Sequence, residues 1–281
     1  MRITEAISRS RQRLSSVGID EARLDAELLV SEVTGRGRAW LFLHPDEELT
    51  PAQTARLEAL LSRRLRREPL PYILGRAEFC GLTFRVTPAA LIPRPETEIL
   101  VEAAIERAQG LGAQFIVDVG SGSGAIAVAL ARQMPQVHVI AADVSLNALR
   151  LARENVVTHD AAGRVHLLCS DLLDGLRGEF DCVVANLPYV RADEFPELQP
   201  EVRNYEPRWA LDGGPDGLEL IRRLGAQLLG HLRTGGFAAL EVGAGQAPEV
   251  TKLLETAGLR TVEALRDYGG IERVVIGWRK G

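Results

Sequence analysis

The apolar run FDCVVAN ends on a polar amide and continues as Leu-Pro-Tyr, giving Asn186, Leu187, Pro188 and Tyr189 in succession. The side-chain oxygen of Asn186 and the backbone carbonyl of Leu187 are two acceptors that can pin both N–H groups of a carboxamide or an aromatic amine. The nitrogen of such a group is a poor nucleophile because its lone pair is delocalised. Held by both hydrogens, it is oriented and its pyramidal form is favoured. Pro188 stiffens the turn, and the ring of Tyr189 can pack over a planar amide or base. A capping Asn beside a surface Tyr is the plainer alternative.

A second cluster, DVGSGSGAIAVAL, follows another apolar run. Glycines in the segment Gly120, Ser121, Gly122, Ser123, Gly124 let the backbone turn sharply and approach a ligand closely. Gly120, Gly122 and Ala125 also fit the dinucleotide fingerprint, so the loop indicates a nucleotide-like cofactor without choosing one. Asp143 lies 19 residues beyond Gly124, at a strand tip where a carboxylate can accept both hydroxyls of an adenosine ribose. An Asp there can equally cap the helix that starts near Ser145. NAD and S-adenosylmethionine both carry that ribose. Asn-Leu-Pro-Tyr decides between them: hydride transfer has no evident need for it, whereas methyl transfer to an amide or amine nitrogen does. That reaction is an in-line displacement driven by positioning, and it needs no charged base because the nitrogen becomes strongly acidic once methylated.

Strands must place these loops. FIVDV, VHVIAAD, VHLLC, FDCVVAN and GFAALEV alternate with helical stretches, and two terminal strands, about 259–265 and 273–278, complete seven. Continuous apolar strands separated by helices predict a doubly wound, mostly parallel, Rossmann-like sheet with ligands at the strands' carboxyl edge. Residues 1 to about 70 hold no convincing strand. Ile3, Ile7 and Leu14, then Leu24, Leu28 and Leu29, fall at helical spacing, with Asp20 as an N-cap, and Thr50-Pro51 opens a further helix. Phe79 to Val86 suggests a hairpin, and a helix is expected near 96–109. The division expected is an all-α N-terminal domain (1–72), a hairpin and linker (73–93), and the catalytic domain (94–281).

Net charge is −5, and it is uneven. Residues 1–74 carry 12 basic against 11 acidic side chains, and the remainder carries 21 against 27. Duplex DNA binding usually leaves a basic footprint, which is absent. The cluster Arg63, Arg64, Arg66, Arg67 reads as a solvated helix face rather than an anion site. Five scattered histidines predict no metal site. Three cysteines without CxxC spacing read as reduced core thiols of a cytoplasmic protein. No apolar stretch approaches the roughly 20 residues of a membrane span.

The chain resembles the release factor glutamine methyltransferases, the HemK/PrmC family, over nearly its whole length. REPLPYILG, FRVTPAALIPRPETEIL, the glycine loop, NLPY, EPRWALDGGPDGL and LEVGAGQ carry the resemblance. It implies methylation of the glutamine side-chain amide in the Gly-Gly-Gln motif of class I peptide chain release factors, with S-adenosylmethionine as cofactor. In that family the Asn-Pro-Pro-Tyr segment holds the glutamine amide, and this carries over to residues 186–189, Leu187 replacing the commoner proline. The residue after Ser170-Asp171 lies on the adenine side; here it is Leu172, which implies apolar packing on the base. The N-terminal domain is implied to dock the release factor, and a monomer that touches neither membrane nor nucleic acid is expected. A nucleic-acid adenine methyltransferase and a non-catalytic cofactor-binding adaptor are the alternatives.

Overall fold

The computed structural model describes all 281 residues and divides them into two units. The first comprises Met1–Gly75 and Gln199–Tyr205; the second holds the remainder.

The N-terminal segment of the first unit forms five helices: α1 (Ile3–Ser16), α2 (Ala22–Thr34), α3 (Arg38–Leu43), α4 (Pro51–Leu65) and α5 (Leu70–Leu74). Ile3, Leu14, Leu29, Val30, Leu57 and Leu61 close its core. Thr50 caps α4 as its spacing predicts: its hydroxyl accepts from Gln53 N at 3.2 Å while Gln53 Oε1 accepts from Thr50 N. Asp20 is not a cap, because α2 starts one residue later behind Glu21, without a side-chain capping bond. The arginines also depart from expectation. Arg64 is buried, with Nε 2.6 Å from Asp25 Oδ2 and Nη1 2.8 Å from Glu201 Oε1. Arg67 bonds Glu201 Oε2 at 2.7 Å and the Gly18 carbonyl at 2.6 Å, and Arg63 pairs with Glu68. Only Arg66 of the four is exposed; the others hold this unit together.

The second unit opens with an antiparallel hairpin, β1 (Arg76–Phe79) and β2 (Leu82–Arg85), beginning three residues earlier than Phe79. There follow α6 (Thr97–Leu111), β3 (Phe115–Val119), α7 (Ala125–Gln133), β4 (His138–Asp143), α8 (Leu146–Thr158), β5 (Val165–Cys169) and β6 (Phe180–Ala185). The short helix α9 (Pro200–Tyr205) belongs to the first unit, and α10 (Glu219–His231), β7 (Leu232–Glu241), α11 (Ala247–Thr256), β8 (Arg260–Arg266) and β9 (Glu272–Trp278) complete the chain.

Seven strands form one sheet in the order β5-β4-β3-β6-β7-β9-β8, parallel except for β9. Successive side chains of a strand point to opposite faces, and both faces are covered. Ile116, Cys182 and Val184 pack with α6 and α7; Val117, Val183 and Ala185 pack with α10 and α11. The largely apolar composition of β3 and β6, interrupted only by the buried Asp118 and Asp181, follows from this double burial. Strand order reverses between β3 and β6, which pair in parallel with Val119 opposite Ala185. The two loops that leave them therefore start side by side at the carboxyl edge, where such folds bind ligands. Of the three free cysteines, Cys182 is in the core, whereas Cys169 is exposed at the end of edge strand β5. No helix is long and apolar enough to cross a membrane.

Candidate active site

A cleft open to solvent lies over the carboxyl ends of β3, β4 and β6. Gly120, Ser121, Gly122, Ser123, Asp143, Leu172, Asn186, Leu187 and Pro188 all border it. Gly124 and Tyr189 fall outside its wall.

The glycine loop is held by backbone bonds. Gly120 N and Ser121 N both donate to the Ala142 carbonyl, at 2.8 and 3.1 Å, and Gly124 N donates to Ser121 O at 2.8 Å. Gly120, Gly122 and Gly124 have φ of +73°, +56° and +78°, the left-handed region that disfavours a side chain. Space is scarce as well: a Cβ on Gly120 would lie 3.0 Å from Leu187 Cδ2, and one on Gly124 would lie 3.1 Å from Ala152 Cβ in α8. Gly120 thus permits the approach of the two loops, and Gly124 that of two helices. Asn155, buried in α8, donates to Ser123 O at 2.9 Å while its Oδ1 accepts from Arg85 N.

Asp143 closes the loop from below. Its Oδ2 accepts from Gly122 N and its Oδ1 from Ser145 N, each at 2.8 Å. The helix α8 is capped by Ser145 itself, whose Oγ accepts from Ala148 N, so Asp143 is not the side-chain cap. Burial raises its pKa, and the two backbone donors pull it back. One lone pair on each oxygen remains for a ligand. Ser121 Oγ, at the cleft wall, is buried without a hydrogen-bond partner. Leu172 is buried at φ +49°, a strained conformation for a leucine, costing on the order of 1–3 kcal/mol. Leu173 N, bonded to Gln227 Oε1 at 3.0 Å, anchors that turn.

Asn186 shows a division of labour between its two amide atoms. Nδ2 donates to Thr97 Oγ1 at 3.0 Å, which leaves Oδ1 as an acceptor without a protein donor. Tyr189 is fixed at both ends: its carbonyl accepts from Gln246 Nε2 at 3.0 Å, and its hydroxyl lies 3.5 Å from Glu241 Oε1. Burial, then the Glu241 charge, pushes the phenol up to about 12. Val190 exchanges backbone bonds with Leu211 and Gly213, at 2.9 Å each.

Four residues beside the site, Arg94, Thr97, Glu206 and Glu241, lie in the segments that carry the resemblance but had no individual role assigned from the sequence. Arg94 borders the cleft with its guanidinium paired to the buried Glu206, whose Oε2 accepts from Ile92 N. Glu241 ends an apolar strand as Asn186 does, and that shared pattern was the available signal. Thr97 gave none beyond its place in PRPETEIL, because a threonine there resembles any first helical residue.

The comparisons with known proteins bear on the family of the chain. Residues 5–75 match the model for the PrmC N-terminal domain, and residues 95–198 match the methyltransferase small domain. A methyltransferase from Pyrococcus furiosus, 18% identical with a TM-score of 0.52 over 72% of this chain and 90% of that one, shares the fold. The release factor glutamine methyltransferase of Geobacter sulfurreducens is 42% identical over 98% of this chain and 96% of its own length. That of Moorella thermoacetica is 42% identical over 100% and 99%. Likeness of this extent, spanning both units and both cleft loops, makes the chain a member of the release factor glutamine methyltransferase family.

Proposed function

We propose that this chain transfers a methyl group from S-adenosylmethionine to the side-chain amide nitrogen of the glutamine in the Gly-Gly-Gln motif of class I peptide chain release factors. The observation that carries the reading is the Asn186 amide, its nitrogen committed to Thr97 and its oxygen uncommitted at the cleft, beside the glycine loop.

The cleft's chemistry suits the cofactor. Asp143 keeps lone pairs for the ribose hydroxyls, Ser121 Oγ is a buried polar group without a partner, and Leu172 offers an apolar wall for the base. Gly120 through Gly124 would lie along the methionine end. Bound there, S-adenosylmethionine supplies an electrophilic methyl carbon. Asn186 Oδ1 and the Leu187 carbonyl accept the two N–H groups of the glutamine amide, and Pro188 keeps that carbonyl in place. Pinned at both hydrogens, the nitrogen turns its developing lone pair toward the cofactor side. The proton it loses after transfer goes to water at the open cleft mouth, so no side-chain base is required. Residues 1–75 serve to dock the release factor; their balanced charge suits a protein partner better than a polyanion. The enzyme acts as a cytoplasmic monomer.

Incubating the protein with a release factor and methyl-labelled S-adenosylmethionine, followed by mass spectrometry of the Gly-Gly-Gln peptide, tests the reading. The label is expected on the glutamine nitrogen, and Asn186→Ala should slow its appearance about 10²–10³-fold, the cost of losing one oriented catalytic hydrogen bond. No label on that glutamine, or label appearing on DNA instead, would overturn it.

A further inference from the structure

We propose that Thr97 and Glu241 form a polarity lock on Asn186, dictating which end of its amide faces the cleft; the inference rests on the methyl-transfer reading above. Thr97 opens α6 and is 3% exposed. A hydroxyl has one proton and two lone pairs. One lone pair accepts Asn186 Nδ2. The proton of a buried hydroxyl needs an acceptor, since leaving it unpaired is costly. We assign Glu241 as that acceptor: it ends β7, is 1% exposed, has Oε2 buried without a hydrogen-bond partner, and is lowered in pKa by the Thr97 hydroxyl.

An ionised carboxylate can only accept. With Glu241 ionised, Thr97 gives its proton there and can only accept from Asn186. The amide nitrogen then points inward and Oδ1 outward. A reversed amide would face the substrate's N–H groups with N–H groups of its own and repel them. The same carboxylate steadies the other end of the motif, because the Tyr189 hydroxyl lies against Glu241 Oε1 and the Tyr189 carbonyl is held by Gln246, whose own Oε1 is fixed by Gly243 N at 2.8 Å. Thr97 and Glu241 are positioning residues: they act through Asn186 and Tyr189.

Steady-state methylation of a release factor by wild type, T97V and T97S tests the lock. T97V keeps the shape and removes both donor and acceptor. It should lower kcat at least about tenfold through misorientation, with cofactor affinity by titration calorimetry within about threefold of wild type. T97S, which restores the hydroxyl, should recover kcat to within about threefold. Wild-type kcat in T97V overturns the lock and leaves the methyl-transfer reading standing. A wild-type protein that labels no glutamine removes the reading and the lock with it. If T97V does not melt cooperatively, E241Q decides: its amide can donate to Thr97 and reverse the chain of bonds, so kcat should fall at least about fivefold, and an unchanged kcat overturns the proposal.

Discussion

Glu241 is a carboxyl group whose surroundings set both stability and rate. Thr97, Tyr189, Arg273 and Glu96 face it. Burial pushes it up to about 7, aided by Glu96, against the pull of the Thr97 hydroxyl and Arg273. An unfolded chain loses this proton near 4.5, so between 4.5 and about 7 the folded protein binds more protons than the unfolded one. Stability due to this group is therefore present at low pH and falls as pH rises through that window. The difference between wild type and E241Q isolates the effect, because Asp118, buried and raised to about 8, titrates identically in both. E241Q should match wild type near pH 4.5 and gain on it by about 3 kcal/mol at pH 8, from the shift of roughly two and a half units. Urea unfolding at several pH values measures this. Catalysis should run the other way, with wild-type kcat rising as Glu241 ionises near pH 7 and E241Q lacking that limb. A flat wild-type profile from pH 6 to 8 would detach this carboxyl from the reaction.

At the scale of elements, the close approach of neighbouring loops limits substitution more than backbone conformation does. Gly217 and Gly270 have φ of +76° and +81°, so an alanine at either carries similar strain, about 1 kcal/mol. Around Gly270 there is open space, whereas a Cβ on Gly217 would run into the Tyr189 carbonyl and lie 2.5 Å from Gln246 Nε2. G270A should lose about 1 kcal/mol with kcat unchanged. G217A should lose a further 1–3 kcal/mol by overpacking and slow methylation, as measured by denaturant unfolding and steady-state rates. Much of this architecture was legible in the sequence, for reasons of burial. β3 and β6 are covered on both faces, so each run was apolar but for one buried aspartate, and the polar residues that ended the runs of β4 and β6, Asp143 and Asn186, marked the cleft edge. The capping Thr50 and the following Pro51 were legible because their bonds are local. What escaped was long-range. Asn186 meets Thr97, Tyr189 meets Glu241, and Arg64 meets Glu201 only after folding; no periodicity encodes such pairs. Cys169 was misjudged as a core thiol because an edge strand's composition resembles an inner one's.

At the scale of the whole chain, charge is organised by internal pairing. In the first unit Arg13 pairs with Glu58, Arg23 and Arg38 with Glu27, Arg56 with Glu32, and Arg63 with Glu68. Most of the 12 basic residues in the first 74 are thus engaged by carboxylates of the same unit. The same chemistry accounts for the path of the chain, in which residues 199–205 belong to the first unit although their sequence neighbours belong to the second. Glu201 accepts from Arg64 and Arg67, and the Tyr205 hydroxyl donates to the Arg66 carbonyl at 2.7 Å. Burial alone would raise Glu201, but the bonds from Arg67 and Arg64 hold it below the usual carboxylate range. Its contribution is thus fully present above 4.5 and is lost as pH falls through the lowered folded value. E201A leaves the buried Arg64 with one carboxylate instead of two, and Arg67 with none. Breaking such a pair costs about 3–5 kcal/mol when fully buried; with the Glu201 side chain 12% exposed, about 2–3 kcal/mol is expected. The loss should concentrate in this segment, so trypsin should cut after Arg203 at least about tenfold faster in E201A, while residues 76–198 stay intact. Wild type should gain the same sensitivity only well below pH 4.5, read with an acid protease. Equal cleavage of E201A and wild type at neutral pH would assign the anchoring to Tyr205 instead.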